Sequence, residues 1–494
     1  MESTCIKLSL MSLIWIIVLM NEIHGYKACL ETERTALLEI KSFFISVSDI
    51  RYDDYILPSW VGEDDGMPSD CCDDWEGVMC NATTRRVMQL SLNNTKILNY
   101  YDRTSASFLI NMSLFHPFEE LQSLDLSDNW FTGIYENRAY DSFGILKQLK
   151  ILKLGFNFFN DNILPYLNTL TSLTTLNLGY NKIEGSRTKQ GLANLRYLQV
   201  LDLSWNFNIT SGSLTRLGLA NLTNLKKLGA LDCRITAIQG LANLTNLQVL
   251  DLSGNQNLTT LGLANLPNLK TLDLRDCGIT TIQGLVNLTN LQVLDLSYNE
   301  NLTTLGICEL KNLFELNLRG NNFKGHLLRC LNSLTYVKVL DISSNQLSGI
   351  LPSVIANLTS LEYFAMPDNK FKGRLFSFCS LANFSKLEVF QLSMETDLLQ
   401  VETENCLPTF QLKVLSLPNC NLGFQLTGAQ HGLLRLDISS NSFTGKLPQN
   451  MGIVLLKLVY MNISKHSFEG NIPSSIGKMQ GLRFLDASTN NFAG

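Results

Sequence analysis

Leu247-Gln248-Val249-Leu250-Asp251-Leu252-Ser253-Gly254-Asn255, followed by Leu258, is the stretch whose reading decides the fold. It returns as Leu269-Lys270-Thr271-Leu272-Asp273-Leu274-Arg275-Asp276-Cys277 with Ile279, and as Leu291-Gln292-Val293-Leu294-Asp295-Leu296-Ser297-Tyr298-Asn299 with Leu302. These starts are 22 residues apart. With the first leucine as offset 0, leucine recurs at offsets 3 and 5, Asn or Cys stands at offset 8, and an apolar residue follows two or three positions later. The frame runs back to Leu225, Leu198, Leu173, Leu149 and Leu121. It runs forward to Leu313, Val337, Leu361, Leu387, Leu412, Leu433, Leu458 and Leu482, which makes sixteen starts, mostly 21 to 28 apart.

Leu-x-x-Leu-x-Leu predicts a short strand whose leucines point into a coil while the residues between them point out. A single coil cannot bury its own leucines, so each stacks on a neighbour roughly 4.8 Å away through a parallel ladder. Asn at offset 8 turns the chain inward, and its amide can satisfy backbone groups that the bend leaves unpaired. Cys233, Cys277 and Cys420 take that place and read as small buried thiols.

This is the leucine-rich-repeat pattern. It implies an α/β repeat solenoid, a curved horseshoe or superhelix with a parallel β-sheet on the concave face and a cap over its first coil. Residues 91–494 form about sixteen coils, the last incomplete.

Residues 1–25 carry Lys7, the apolar run Leu8 to Met20 and then Ile23-His24-Gly25, and read as a secretory signal peptide. The mature chain is therefore expected outside the cell. The full sequence has 17% charged residues, 45% hydrophobic residues and a formal charge of −5, or −4 without residues 1–25, and no basic surplus points to nucleic acid.

Residues 26–90 read differently from the coils. Cys29 to Lys41 has helical spacing, with Leu37, Leu38 and Ile40 on one side. Trp60 follows, then Asp70-Cys71-Cys72-Asp73-Asp74-Trp75-Glu76-Gly77-Val78-Met79-Cys80. Four cysteines in an exported segment suggest two disulfides. Zinc is the competing reading, but adjacent cysteines without a Cys-x-x-Cys pair suit it poorly.

Cys29, Glu33-Arg34-x-Ala36-Leu37-Leu38-x-x-Lys41, Trp60, Cys71-Cys72 and Trp75-Glu76-Gly77-Val78-x-Cys80 together resemble the plant-type N-terminal cap of leucine-rich-repeat receptor proteins. That resemblance implies the pairs Cys29–Cys71 and Cys72–Cys80. One departure is Asp73-Asp74, where the family usually has one residue. Gly349-Ile350-Leu351-Pro352, Gly445-Lys446-Leu447-Pro448 and Gly470-Asn471-Ile472-Pro473 resemble the Gly-x-Ile-Pro signature of plant extracellular repeats, which marks a second short strand. The whole chain is similar to plant receptor-like proteins, which have the ectodomain and a membrane anchor but no kinase.

Cys308 and Cys330 precede successive strands at comparable places and are expected to pair; Cys379 and Cys406 flank the most degenerate coil. Sequons for N-glycosylation stand at Asn81, Asn93, Asn111, Asn208, Asn221, Asn243, Asn257, Asn287, Asn301, Asn357, Asn383 and Asn462. Glycans on the convex side would leave the concave face open.

The chain carries no nucleophile elbow, no phosphate-binding loop and no protein-kinase motif, so no enzyme is expected and no cofactor or metal. Asp125, Asp202, Asp251, Asp273, Asp295, Asp341, Asp437 and Asp486 share offset 4 and read as framework acids. On the outward surface, Phe156, Tyr180 and Trp205 share offset 7 in successive coils and form an aromatic stripe, with Tyr298 at the same offset further on. Exposed aromatics are favoured interface anchors, although packing on one another is an equal reading. Arg275 and Arg319, at offset 6, are donors for a carboxylate ligand.

The chain ends inside a repeat at Gly494, which reads as a truncated product lacking the family's anchor. The resemblance implies a cell-surface ectodomain that binds an extracellular protein, peptide or glycan and signals through a partner receptor kinase at the plasma membrane. The alternative is a secreted inhibitor of microbial cell-wall hydrolases in the apoplast, or a decoy.

Overall fold

The computed structural model describes residues 29–493, apart from 49–53, 65–66, 98–107, 136–143, 187–190, 239–240, 259–265, 283–284, 286, 303–306, 328, 350–354, 356, 372, 378–383, 394–398, 403–410 and 421–430. The signal-peptide segment, Asn383, Cys379 and Cys406 thus lie outside the described residues, as do the side chains of Cys308 and Cys330. Two compact units emerge, residues 1–206 with 216–225 and residues 207–215 with 226–494.

The first unit opens on an α-helix, Glu31–Val47, with Glu31 and Glu33 in its first turn, where the helix dipole favours acids. Its buried face is Glu33, Ala36, Leu37, Ile40 and Phe44. Leu38 is only half-buried, so the stripe follows the 3.6-residue period on to Phe44 rather than taking in Leu38. Cys29–Cys71 and Cys72–Cys80 are both bonded, with Cα atoms 5.8 and 5.5 Å apart. Trp60 stacks on Trp75 at 5.5 Å, and Lys41 Nζ donates to the carbonyls of Leu57 and Trp60. The additional acidic residue is accommodated by charge: Asp73 pairs with Arg85, and Asp74 accepts from the Asp70 N–H.

Val78–Cys80 pairs antiparallel with Val87–Ser91, and from there the ladder is parallel through Ser123–Asp125, Ile151–Lys153, Thr175–Asn177 and Val200–Asp202. Val87–Ser91 is itself a coil strand, with Leu90 and Leu92 buried and Asn94 bonded to the next coil. It crosses the boundary drawn after residue 90. Valine at offset 0 and Thr95 at offset 8 hide it from the repeat pattern. Phe43 and Phe44 of the helix pack on Phe131, which packs on Phe159, so an aromatic spine ties the cap to the coils.

The second unit continues the pattern with twelve parallel strands, from Lys227–Gly229 to Phe484–Asp486. Its register keeps Leu250, Leu272, Leu294, Leu316 and Leu340 side by side. A second sheet recurs where the Gly-x-Ile-Pro-like signature stands, in Gln346–Ser348, Thr444–Gly445 and Ser467–Gly470. Lys324–His326 pairs with Gln346–Ser348 although it lacks that signature.

Offsets 4 and 8 carry the polar framework. Asp125, Asp202, Asp251, Asp273, Asp295, Asp341, Asp437 and Asp486 each accept the N–H of the residue at offset 6, so these acids close the strand end. Asn157 at offset 8 donates to the carbonyls of Leu126, Leu154 and Gly155 and accepts from the Phe131 and Asn129 N–H groups. Cys277 and Cys420 imitate it with Sγ donors to backbone carbonyls, and burial pushes both thiols up to about 12, which keeps them protonated donors. Cys233 is likewise buried, its Sγ donating to the Leu231 carbonyl at 3.7 Å.

His466 fills offset 8 in the coil starting at Leu458. Its Nδ1 meets the Asn441 carbonyl at 2.9 Å, its ring packs edge-on to both Phe443 and Phe468, and its buried Nε2 has no hydrogen-bond partner among the described residues. Burial lowers its pKa, so the fold favours neutral imidazole, and stability is lost as pH falls through the unfolded value near 6.5. His466→Asn restores the amide ladder and is expected to add about 1–2 kcal/mol, more at pH 5 than at pH 8 in thermal melts. Equal melting of the two proteins at both pH values would contradict this.

Candidate ligand-binding face

Offset 7 is where the structure departs from the expected picture. The strands end at offset 4, and the residue at offset 7 lies beyond them at a bend with left-handed backbone. Asp128, Phe156, Tyr180 and Trp205 have φ of 57°, 54°, 54° and 62°, and Asp232, Asp276, Tyr298, Ser344, Asp368, Asn419, Ser440, Lys465 and Thr489 share the conformation. Asp, Asn and Gly tolerate this region, whereas bulky side chains cost roughly 1–2 kcal/mol there. In most of these coils the bend is fixed by a hydrogen bond from the offset-7 N–H to the next coil's offset-6 carbonyl, as from Phe156 to Gly179 and from Tyr180 to Ser204, while Asp368 donates to the Ser393 hydroxyl instead. The strain thus comes from the fold, and the aromatic residues carry it.

Within the first unit Phe156 stacks on Tyr180 at 4.2 Å and Tyr180 on Trp205 at 4.8 Å, with interplanar angles of 13° and 23°. Both readings of the stripe hold in part: the rings pack on one another, yet Phe156 stays 57% and Tyr180 37% exposed. Stacking occupies their faces and turns their edges outward. A second column at offset 9, which the repeat pattern did not mark, runs beside it. Trp130 packs on Phe158 at 5.6 Å, and Lys182 Nζ sits over the Phe158 ring at 4.7 Å. Next to Lys182 a cavity of about 130 Å³ is lined by Asn160, Asp161, Asn162, Lys182 and Glu184. Asp161 is a framework acid there, its carboxylate accepting the N–H groups of Glu184, Gly185 and Ser186.

In the second unit Tyr298 is exposed at the same bend, its ring lying over Gly320, where any Cβ would meet it at 2.6 Å. Arg275 turns back on its own coil: its guanidinium bonds Asp273 at 2.8–3.1 Å and reaches Asp295 at 3.8 Å. It is therefore already committed to framework carboxylates, because neighbouring coils present Asp at offset 4 in register. Arg319 is exposed, and its backbone N–H donates to Asn317.

The sequons fall in several places. Asn221, Asn243, Asn287 and Asn357 are exposed four residues before a coil's first leucine, and Asn208, Asn257 and Asn301 are exposed beyond the bend. Asn81 and Asn111 are half-buried with Oδ1 bonded to nearby N–H groups. Asn93 is exposed at the end of the first coil's strand, and Asn462 lies inside the strand Tyr460–Asn462. Asn462 thus places one sequon on the sheet itself.

Parallel leucine coils behind a disulfide-bonded cap define a leucine-rich-repeat protein of the plant-capped class. Residues 30–81 match the family described as Leucine rich repeat N-terminal domain, and residues 223–265 and 267–309 match Leucine Rich repeats (2 copies). The chain is 38% identical to Receptor-like protein 14 of Arabidopsis thaliana over 97% of its own length and 49% of that relative. It is 36% identical to Receptor-like protein 13 of the same plant, over 98% of its own length and 51% of that relative. The fold is similar to that of a TDR receptor, with a TM-score of 0.58 at 23% identity over 77% of this chain and 66% of that one. It is also similar to the structure titled PEPR1-AtPEP1, with a TM-score of 0.52 at 24% identity over 94% of this chain and 66% of that one. The chain belongs to the plant leucine-rich-repeat receptor-like proteins. It spans about half the length of the two relatives named here.

Proposed function

We propose that this chain is the ligand-recognising part of a receptor-like protein, exposed at the outer side of the plasma membrane and acting through a partner receptor kinase. Phe156, Tyr180 and Trp205 anchor an extracellular peptide or protein. The observation that carries this reading is the aromatic column, held at a bend where most coils place Asp, Asn, Gly or Ser. A fold selected for stability alone favours those smaller residues there. Residues 112–207, which include all three residues of the column, contain no sequon; Asn194-Leu195-Arg196 stands where later coils have Asn-Leu-Thr. Tyr298 and Arg319 provide further contacts in the second unit, while Arg275 orders Asp273. Glycans at the exposed sequons and a Cys308–Cys330 bond complete the extracellular form.

The test is selection of a phage-displayed random peptide library on the secreted protein, followed by affinity measurements. Phe156→Asn, Tyr180→Asn and Trp205→Asn keep a residue that suits the left-handed bend, so the fold is retained. Each is expected to weaken the selected peptides at least tenfold, or by about 1.4 kcal/mol. Unchanged affinity in all three would remove the column from the site.

A further inference from the structure

A further aromatic column lies on the sheet itself, in the coils that start at Leu433, Leu458 and Leu482. Arg435, Tyr460 and Phe484 are register partners, with the Arg435 guanidinium 4.0 Å above the Tyr460 ring and Tyr460 stacked on Phe484 at 4.5 Å. Leu434 and Val459 beside them are 41% and 37% exposed. This apolar patch needs an occupant.

Asn462 stands two residues along the same strand from Tyr460, so both side chains share the outward face. It begins the sequon Asn462-Ile463-Ser464. Its Oδ1 is held by the Ser464 N–H at 3.1 Å and hydroxyl at 2.8 Å. That leaves Nδ2, the atom that carries an N-glycan. At the same offset Asn177 and Asn317 spend Nδ2 on Asp202 and Asp295. Asn462 also has acids on both flanks, Asp437 and Asp486, but they accept from Ser439 and Ser488, and no hydrogen bond from its Nδ2 to either is found among the described residues.

We infer that Asn462 is N-glycosylated and that the inner sugars of its glycan cover Leu434, Val459, Tyr460 and Phe484, closing this part of the sheet face to protein ligands. In the modification Nδ2 attacks the anomeric carbon of a polyprenyl-pyrophosphate oligosaccharide. The Nδ2–C1 bond forms, the C1–O bond to phosphate breaks with its electron pair on the pyrophosphate leaving group, and one Nδ2 proton is lost. Residues two apart on a strand are separated by about 6.7 Å, within reach of the first two sugars. Sugar C–H faces suit exposed aromatic and aliphatic side chains. Ligand contact is thereby left to other surfaces, the Phe156 column among them, so the inference rests on the receptor reading for its biological sense but not for its chemistry.

The experiment uses the full chain secreted from plant cells. Glycosidase release in heavy-oxygen water, read by peptide mass spectrometry, reports occupancy at Asn462. Hydroxyl-radical footprinting then compares the native protein with Asn462→Gln and with Ser464→Thr, which keeps the acceptor motif. Occupancy of Asn462 is expected, with oxidation of Tyr460 and Phe484 rising at least threefold in Asn462→Gln, staying low in Ser464→Thr, and unchanged at Phe156 and Tyr180 in all three. An unmodified Asn462 overturns the inference, as does equal oxidation of Tyr460 and Phe484 with and without the glycan. A rise at Phe156 as well would show that Asn462→Gln had loosened the fold; Ser464→Ala, which removes the acceptor motif but keeps Asn462, then decides by the same readout. Failure of the peptide selection on the Phe156 column would leave this result standing, and the reverse holds too.

Discussion

Asn299→Ala is expected to destabilise the coils around it by about 4 kcal/mol or more, among the largest effects a single side chain can have here. The fully buried amide donates to the carbonyls of Leu274, Leu296 and Ser297 and accepts from the N–H groups of Cys277 and Ile279. Alanine leaves these backbone groups to find other partners in a site without room for them all, at roughly 1–3 kcal/mol for each that stays unpaired. The chain contains its own graded control. Cys277 holds the same place one coil earlier with two Sγ bonds of 3.1 and 3.5 Å, so Asn299→Cys is expected to cost clearly less than Asn299→Ala. Hydrogen exchange at Cys277, Ile279 and Leu302 reads the effect locally, which suits a solenoid whose coils contact only their neighbours. Equal protection in Asn299→Ala and the native chain would refute the ladder as the source of stability.

Lys96→Met is expected to stabilise the first unit by about 3–5 kcal/mol at pH 6 and by almost nothing above pH 10.5. Lys96 is 2% exposed, its Nζ lies against the Phe108 ring, and no hydrogen-bond acceptor reaches it among the described residues. Burial pushes its pKa from the ordinary 10.5 down to about 7. For a base whose folded value is lowered, the fold favours the neutral amine. Above pH 10.5 both states are neutral and the lysine costs no charge burial. As pH falls from 10.5 to 7 the unfolded chain takes up a proton that the folded chain resists, and stability declines; below 7 the cost is constant. Attraction between the ammonium and the ring returns part of it. Thermal melts at pH 6 and pH 10.5 check this, and a gain that does not shrink with rising pH would show that Met packing rather than charge was responsible.

The expectations drawn from sequence succeed where the physics is local and repeated. Leucine at offsets 0, 3 and 5 must face inward, Asn or Cys at offset 8 must serve the bend, and Asp at offset 4 must close the strand end; each follows from one coil's pattern copied along the chain. The cap pairs Cys29–Cys71 and Cys72–Cys80 follow from the resemblance and are present in the structure. Placing Phe156, Tyr180 and Trp205 at one offset already made them neighbours, since equal offsets in adjacent coils stack at strand spacing.

Tertiary structure alone decided which way groups turn between coils. How the aromatic rings lie depends on the left-handed bend that holds Phe156, Tyr180 and Trp205 and on their stacking across coils. Trp130, Phe158 and Lys182 become a second column because the chain past the bend stays in register, which the leucine frame does not state. Arg275 closes on Asp273 of its own coil, whereas Asn177 and Asn317 bond an acid of a neighbouring coil and Asn462 Nδ2 has no such bond among the described residues, because each outcome depends on which acid lies within reach and on what that acid already holds. Repetition along the chain therefore determined the coil and its register, whereas the chemistry of its surface was decided by contacts between residues some two dozen positions apart, where rotamer and partner choice are free of the repeat.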